Sequence, residues 1–202
     1  MRRHGSAGFL RRSGVALLAM LAGWEVPLCG SAQGQAFETL DIALRVARDV
    51  NHGTFHDFWD PGLGIEGSVG FPFYRGAFRF GIQQFHHDAV GDAVGFRSRF
   101  FHAGWDAGVP LAARLTWRSG VEAGLYHIWF DPDTIPKFSR SESEFGVGGR
   151  SGLDYTFGGR WLVGASAQYQ LVLTDQRIHR LMIGLSLGYR FASPRWLRDF
   201  LR

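Results

Sequence analysis

The segment from Arg180 to Phe191, R-L-M-I-G-L-S-L-G-Y-R-F, decides the predicted fold because its residues alternate between two kinds. One set is apolar and ends in the aromatic pair Tyr189 and Phe191, whereas the other set is small or charged and includes Arg180 and Arg190. A period of two predicts a β-strand whose two faces meet different surroundings. Because glycine and arginine share one face, we expect lipid outside and a packed polar lumen inside, as in a membrane barrel.

Seven further segments show the same alternation. They are Leu40–Ala47, Leu63–Phe71, Ala77–Phe85, Phe96–Ala107, Trp117–Phe130, Phe145–Phe157 and Arg160–Leu173. The 28 glycines and the 15% aromatic content suit strands better than helices. The total predicts an all-β fold, an eight-stranded antiparallel up-and-down transmembrane β-barrel. A soluble lipocalin-like barrel is the alternative, and it requires apolar residues that face the cavity and polar residues that face outward.

The predicted connections alternate between long and short, as expected for outer loops and periplasmic turns. The Gly158–Gly159 pair between two alternating segments indicates a tight hairpin. Only Gly108–Thr116 is of intermediate length. The predicted outer loops are Arg48–Gly62, His86–Gly95, Asp131–Glu144 and Thr174–His179, and the other inner turn is Pro72–Gly76.

Residues 1–32 are predicted to be a secretory signal peptide. Four arginines precede the apolar run Gly14–Trp24, and the small residues Gly30, Ser31 and Ala32 follow it, which is the three-part pattern of such peptides. The apolar run is shorter than the roughly 20 residues that a membrane-spanning helix needs. Removing this peptide takes away four of the 22 basic residues and one of the 18 acidic ones, which lowers the net charge from +4 to +1. We therefore expect no nucleic-acid partner.

The rest of the chain is predicted to form an outer-membrane barrel domain, residues 33–191, and a periplasmic C-terminal tail, residues 192–202. The tail carries Trp196 and Phe200 among arginines, so a short amphipathic helix at the inner interface is one interpretation and a frayed end is the other. The single cysteine, Cys29, lies in the predicted signal peptide. No disulfide within the chain is expected.

The alternating segments resemble the small outer-membrane β-barrel proteins, the broad group of eight-stranded barrels that includes outer-membrane protein A. The best match is Glu144–Gln170, E-F-G-V-G-G-R-S-G-L-D-Y-T-F-G-G-R-W-L-V-G-A-S-A-Q-Y-Q, followed by Ile183–Phe191. The resemblance spans about residues 36–191 and implies partners in outer-membrane lipid, lipopolysaccharide and the barrel assembly machinery. In that group a terminal aromatic residue resembles the signal that the machinery recognises. This chain departs from the pattern because residues 192–202 follow Phe191.

Ten charged residues are predicted to face the lumen. An eight-stranded barrel encloses packed side chains and little water, so these charges must pair with one another. We therefore predict an ion network that fixes the barrel shape, and not a conducting pore. Inward-facing glycines leave space for the arginines. The ten residues are Asp41, Arg45, Glu66, Arg79, Arg118, Glu122, Arg150, Asp154, Arg180 and Arg190.

Two predicted outer loops place histidines beside carboxylates, in His52–Asp60 and His86–Asp88. These groups bind zinc and other transition metals, so metal capture by the loops is one hypothesis, although the spacing matches no specific ligand motif. Phe55, Phe58 and Trp59 predict either an adhesive or glycan-stacking tip or part of the aromatic girdle at the membrane boundary. The girdle is otherwise predicted at Trp105, Trp129, Tyr155 and Trp161.

An enzyme is a further hypothesis, since some small outer-membrane barrels modify lipid A with a histidine and a serine near the outer interface. His127 is predicted to face lipid near the outer end of its strand, with Ser143 nearby on the next strand. A histidine can activate a serine hydroxyl there. The chain lacks the His-x-Ser pattern of the deacylases that this resembles, and it places no evident acid to orient the imidazole.

Together these patterns predict a monomeric barrel in the bacterial outer membrane, without cofactor. The leading hypothesis for its function is a structural or surface-interaction role of the adhesion type, and not catalysis. The alternatives, in order, are a lipid A-modifying enzyme and metal-binding surface loops.

Overall fold

The computed structural model describes residues 37–51, 54–74, 76–130, 141–174 and 177–196. Most of these residues lie in β-strands. The strands are β1 Thr39–Asp49, β2 Trp59–Pro61, β3 Leu63–Phe73, β4 Gly76–Ala89, β5 Phe96–Ala112, β6 Leu115–Phe130, β7 Ser141–Phe157, β8 Trp161–Val172 and β9 Ile178–Ala192, and a short 3₁₀ helix spans Thr54–Asp57.

The eight long strands close into an antiparallel barrel. Each pairs with its neighbour along the chain, β1 pairs with β9, and β4 pairs with both β3 and β5. The short β2 extends the line of β3 beside β4, with Trp59 opposite Ala89. Closure leaves no free sheet edge among the long strands, which is the condition for a sheet to cross lipid. The prediction of an eight-stranded antiparallel barrel is confirmed.

The two faces of the barrel differ in the predicted sense. Outward side chains are large and apolar, for example Leu185 with 68% of its surface exposed and Val121 with 67%, whereas the inward Gln168 and Gln170 are fully buried. This is the reverse of the pattern that a soluble lipocalin-like barrel requires. Within the described residues, no helix is long and apolar enough to span a membrane.

Several predicted loop boundaries were wrong because strand pairing continues into them. The predicted Gly108–Thr116 turn is mostly strand, since β5 runs to Ala112 and β6 starts at Leu115, with a register irregularity near Pro110. The predicted loop that starts at His86 starts after Ala89, where β4 ends. In both places polar or small residues interrupt the alternation of apolar and polar side chains. The backbone hydrogen bonds between the strands nevertheless continue.

The turn between β7 and β8 contains three residues, 158–160, because Phe157 pairs with Trp161. Gly158 and Gly159 have φ angles of +57° and +73°, which glycine adopts without the steric cost of a side chain. The first residue of β1, Thr39, pairs with the last residue of β9, Ala192. This pair lies on the same side of the barrel as the short turn between β7 and β8, which is the periplasmic side. The predicted signal peptide, residues 1–32, and residues 197–202 of the predicted tail lie outside the described residues.

Candidate functional site

All ten residues of the predicted ion network occupy inward-facing strand positions. Near the periplasmic end five of them, together with Asp106, form three pairs. Arg190 donates to both carboxylate oxygens of Asp41 at 2.7 and 2.8 Å, and Arg118 Nε lies 2.7 Å from Asp154 Oδ2. Arg79 pairs with Asp106. Apart from the buried Asp106 these side chains keep partial exposure, and all but Arg190 line a cavity of about 90 Å³, so this end of the lumen is more open than its centre.

Glu66 is the centre of the buried part of the network. It accepts hydrogen bonds from Arg45 at 3.1 Å and from Arg150 at 2.8 Å, and only 1% of its surface is exposed. Arg150 also reaches Glu122 Oε2 at 3.4 Å, and both ring nitrogens of His102 lie 3.7 Å from a glutamate oxygen, one from Glu66 and one from Glu122. A buried carboxylate is stable when several donors surround it in this way.

Glutamines connect this centre to the outer half of the lumen. Gln168 donates to Glu122 and accepts from Arg45, while Gln170 donates to Glu122 at 3.0 Å and accepts from Tyr126. Arg45 and Gln168 are separated by 123 residues in the chain. The network therefore ties together strands that are remote in sequence.

Arg180 forms the next layer toward the outside. Its Nε lies 3.0 Å from Asp49 Oδ2, its Nη1 donates to the Tyr126 hydroxyl at 3.2 Å, and its guanidinium lies 4.1 Å from the ring centroid of Phe85. Phe100 stacks on Tyr126 with ring centroids 4.5 Å apart. The polar network thus ends against buried aromatic rings.

An aromatic layer covers the outer end of the lumen. His87 stacks on Phe96 at 4.2 Å and shares a 3.0 Å hydrogen bond with Ser98. Phe55 contacts the rings of His87 and Trp59 at 5.5 and 5.1 Å. The predicted tip residues Phe55 and Trp59 therefore do not belong to the membrane girdle. They pack over the barrel.

Above this layer lies a mouth cavity of about 730 Å³. Its aromatic wall is formed by Phe55, Phe58, Trp59, Phe96 and Phe130, and its polar groups include Asn51, Glu142, Glu144, Arg177 and His179. Trp59 Nε1 donates to the Val94 carbonyl at 2.8 Å, which joins the first outer connection to the second. A concave apolar surface with a few polar groups is the usual form of a ligand site.

Sequence reasoning missed several polar partners in the lumen. Asp49 has the same strand parity as Asp41 and Arg45, but it was assigned to a loop. His102 and Asp106 occupy buried, inward-facing positions of β5 and are absent from the predicted network. Gln168 and Gln170 carry no charge, so the pairing of charges does not predict them; their inward parity on β8 is the signal that does.

The structure separates the histidines of the metal hypothesis. His86 faces outward and lies 3.0 Å from Asp88, whereas the neighbouring His87 faces the lumen and is buried. His56 lies 3.7 Å from Asp49, and His52 is outside the described residues. The described part of the chain contains no group of three or more histidine, cysteine or acidic side chains placed to hold a metal ion.

The pair in the enzyme hypothesis does meet. His127 Nδ1 and Ser143 Oγ are 2.8 Å apart on the lipid-facing surface, and the His127 ring packs edge-on against Trp129 at 4.1 Å. Glu142 and Glu144, the acids on either side of Ser143, both have the opposite strand parity. The geometry therefore supplies a histidine and a serine without an orienting carboxylate among the hydrogen bonds of the described residues.

No protein-family model and no curated protein sequence matches the chain, whereas solved structures do. Neisserial surface protein A matches with a TM-score of 0.60 and 13% identity, covering 78% of this chain and 98% of that one. The chain folds as a small outer-membrane β-barrel. Outer membrane protein H of Pseudomonas aeruginosa matches this barrel with a TM-score of 0.54 and 12% identity, over 75% of this chain and 99% of that one.

The N-terminal barrel domain of Pseudomonas aeruginosa OprF also matches the barrel, with a TM-score of 0.50 and 21% identity, over 78% of this chain and 100% of the domain. The outward apolar belt is the surface that such a barrel presents to lipid. The predicted fold, that of the small outer-membrane barrels, is confirmed, and the outward apolar belt agrees with the predicted outer-membrane location.

Proposed function

We propose that this outer-membrane barrel is a non-conducting, surface-interacting protein of the adhesion type, which binds its target at the mouth cavity. The observation that carries the proposal is the contrast between the open outer end of the lumen and the filled barrel beneath it. The outer end is a recess of about 730 Å³ with an aromatic wall, and beneath it aromatic rings and the network around Glu66 and Arg180 fill the barrel. The binding surface is thus fixed on a rigid base.

The packed lumen supports the non-conducting part of the proposal. Arg180, Gln168 and Gln170 are 2% exposed or less, and each is held by hydrogen bonds from other strands. An ion would have to break several of these bonds to pass. Eight strands enclose little more than their own side chains.

Planar-bilayer recording tests this part. The reconstituted protein should produce no discrete conductance steps, while a large porin that is reconstituted in the same way provides the positive control. Regular steps of open-pore size in the barrel's recordings would contradict the proposal.

Cell adherence tests the mouth. Expression of the barrel on a non-adherent bacterial strain should raise its adherence to epithelial cells, and Phe58→Ala should remove most of the gain because this ring is 52% exposed and lines the cavity. Trp196→Ala is the matched control, since Trp196 is 69% exposed but follows β9 at the periplasmic end. Adherence equal to that of the empty vector would refute the adhesive role. An equal loss in both variants would show that the mouth cavity is not the binding site.

A lipid A-modifying activity is the second candidate, favoured only by the 2.8 Å contact between His127 and Ser143. Without an acid to hold the imidazole, we expect this pair to be an interfacial hydrogen bond and not a catalytic dyad. Mass spectra of lipid A from cells with and without the barrel should therefore be identical. A change that appears on expression and reverts with His127→Ala would establish the enzyme instead.

A further inference from the structure

The outward-facing side chains change from apolar to polar near the outer ends of β4, β5, β6 and β7. At one level the outward side chains are apolar: Ile82, Phe101, Leu125 and Phe145, which are paired neighbours across the four strands. Two residues further toward the outer loops lies the outer polar row, which consists of Gln84, Arg99, His127 and Ser143. The apolar belt therefore ends here along a defined line.

Contacts hold the outer polar row in place. Arg99 donates to Gln84 Oε1 at 3.1 Å, and its guanidinium lies 5.1 Å from the ring centroid of Trp129. The same indole packs against His127. Trp129 is therefore a platform for both basic groups, and a tryptophan at this depth is typical of the membrane–water boundary.

Two arginines here carry charge that the described residues do not neutralise. Arg99 bonds to an amide, and Arg97, the neighbour of Trp129 across the β5–β6 pairing, is exposed and has no hydrogen-bond or ion-pair partner among the described residues. The adjacent His86 differs, because it already contacts Asp88 at 3.0 Å. Two guanidinium groups on one strand, above an apolar surface, thus lack anions.

Arg48 provides an internal contrast. It also faces outward near the outer end of its strand and is exposed, but its paired neighbours are Leu63 and Ile183. It stands as a single cation among aliphatic side chains. The concentration of basic and aromatic groups is therefore a property of the β4–β7 side.

We propose that this side binds a phosphorylated, multiply acylated lipid of the outer leaflet, of the lipid A class, with phosphates on Arg97 and Arg99 and acyl chains on the apolar residues below. Guanidinium groups bind phosphate through paired, charge-assisted hydrogen bonds. Neighbouring strands are about 4.8 Å apart, so four strands present a surface roughly 14 Å wide. That width accommodates several acyl chains side by side. The site lies outside the barrel wall and is independent of binding at the mouth.

Native mass spectrometry of the full chain, folded in neutral detergent, tests the site with four probes: bisphosphorylated lipid A, dephosphorylated lipid A, phosphatidylglycerol and inorganic phosphate. We expect lipid A to bind most tightly, and the double variant R97Q/R99Q to weaken it by at least about tenfold, since two charge-assisted contacts are lost. Arg48→Gln is the matched control and should leave binding within about twofold, the change of a substitution outside the site. Heat-modifiable migration on gels checks that each variant is folded.

Three results would overturn the proposal. They are equal binding by the parent and R97Q/R99Q, equal binding of lipid A with and without its phosphates, and equal weakening by Arg48→Gln. Binding of phosphatidylglycerol as tight as that of lipid A would overturn the choice of lipid. Binding of inorganic phosphate as tight as that of lipid A would show that the acyl chains contribute nothing. Because the adherence assay depends on Phe58, failure of this site leaves the proposed function unaffected.

Discussion

Arginines at the centre of the lumen and arginines at the outer rim meet opposite surroundings. Arg45 and Arg150 lie against Glu66, where each has a carboxylate oxygen within 3.1 Å. Arg97 and Arg99 face outward, and no described carboxylate pairs with either. Arg45 is 3% exposed, whereas Arg97 is open to its surroundings.

The difference shows where each charge obtains its counter-charge. Inside a closed barrel the chain itself must supply the anion, because removing a partner leaves a buried charge that costs several kcal/mol. At the membrane boundary an arginine costs about 0–1 kcal/mol, and water or a lipid phosphate can solvate it. An arginine in the lumen therefore requires a carboxylate partner from the chain. Only at the outer rim can an arginine lack one at little cost in stability.

Among these variants, Glu66→Gln should destabilise the barrel most strongly. It leaves Arg45 and Arg150 without their main anion, so we expect a loss of about 3 kcal/mol or more in unfolding free energy. Urea unfolding in lipid vesicles, followed by tryptophan fluorescence, measures it. Glu142→Gln, on an exposed residue at the mouth, is the control. Equal stability of both variants would mean that the lumen charges are not coupled to folding.

Gly184→Ala tests whether the network around Arg45 also depends on close packing. A Cβ atom at Gly184 would lie 2.6 Å from Arg45 Nε and 2.7 Å from the Val46 carbonyl oxygen, so we expect a loss of about 1–3 kcal/mol from overpacking. At Gly67 an added Cβ meets nothing within 4 Å, so Gly67→Ala should be close to neutral. The same unfolding assay separates them, and indistinguishable curves would contradict close packing around Arg45.

Asp41→Asn should have a smaller effect although its ion pair has the better geometry. Asp41 and Arg190 keep 23% and 32% of their side-chain surface exposed, so water replaces much of the lost interaction and we expect about 1 kcal/mol or less. Raising the salt concentration should shrink the difference from the parent. A loss as large as that of Glu66→Gln would show that the periplasmic end is as dry as the centre.

R97Q/R99Q should be nearly silent in the unfolding assay, within about 0.5 kcal/mol of the parent, as is usual for surface substitutions. It should nevertheless lose lipid binding. Unchanged stability together with lost affinity for lipid would distinguish the arginines at the outer rim from those in the lumen. Strong destabilisation would instead mean that these arginines serve the barrel itself.

Much of this architecture could be predicted from local pattern. The alternation in Arg180–Phe191 and its seven counterparts predicted the strands, and parity alone placed Glu66 and Arg150 on the inward face. Strand ends were harder, because β4 and β5 continue through residues whose polarity no longer alternates. The close approach of His127 to Ser143 was predictable, since the two lie on neighbouring strands.

The sequence by itself determined the eight long strands, the two faces, and which charges point inward, because a period of two is a property of each strand alone. Only the tertiary structure decided which charges meet. Contacts such as Arg45 with Gln168, or Arg180 with Asp49, join strands according to the register and tilt with which the sheet closes. The register between β5 and β6 sets Arg97 opposite Trp129, and the guanidinium of Arg99 reaches the same indole. No single strand contains the information that places them there.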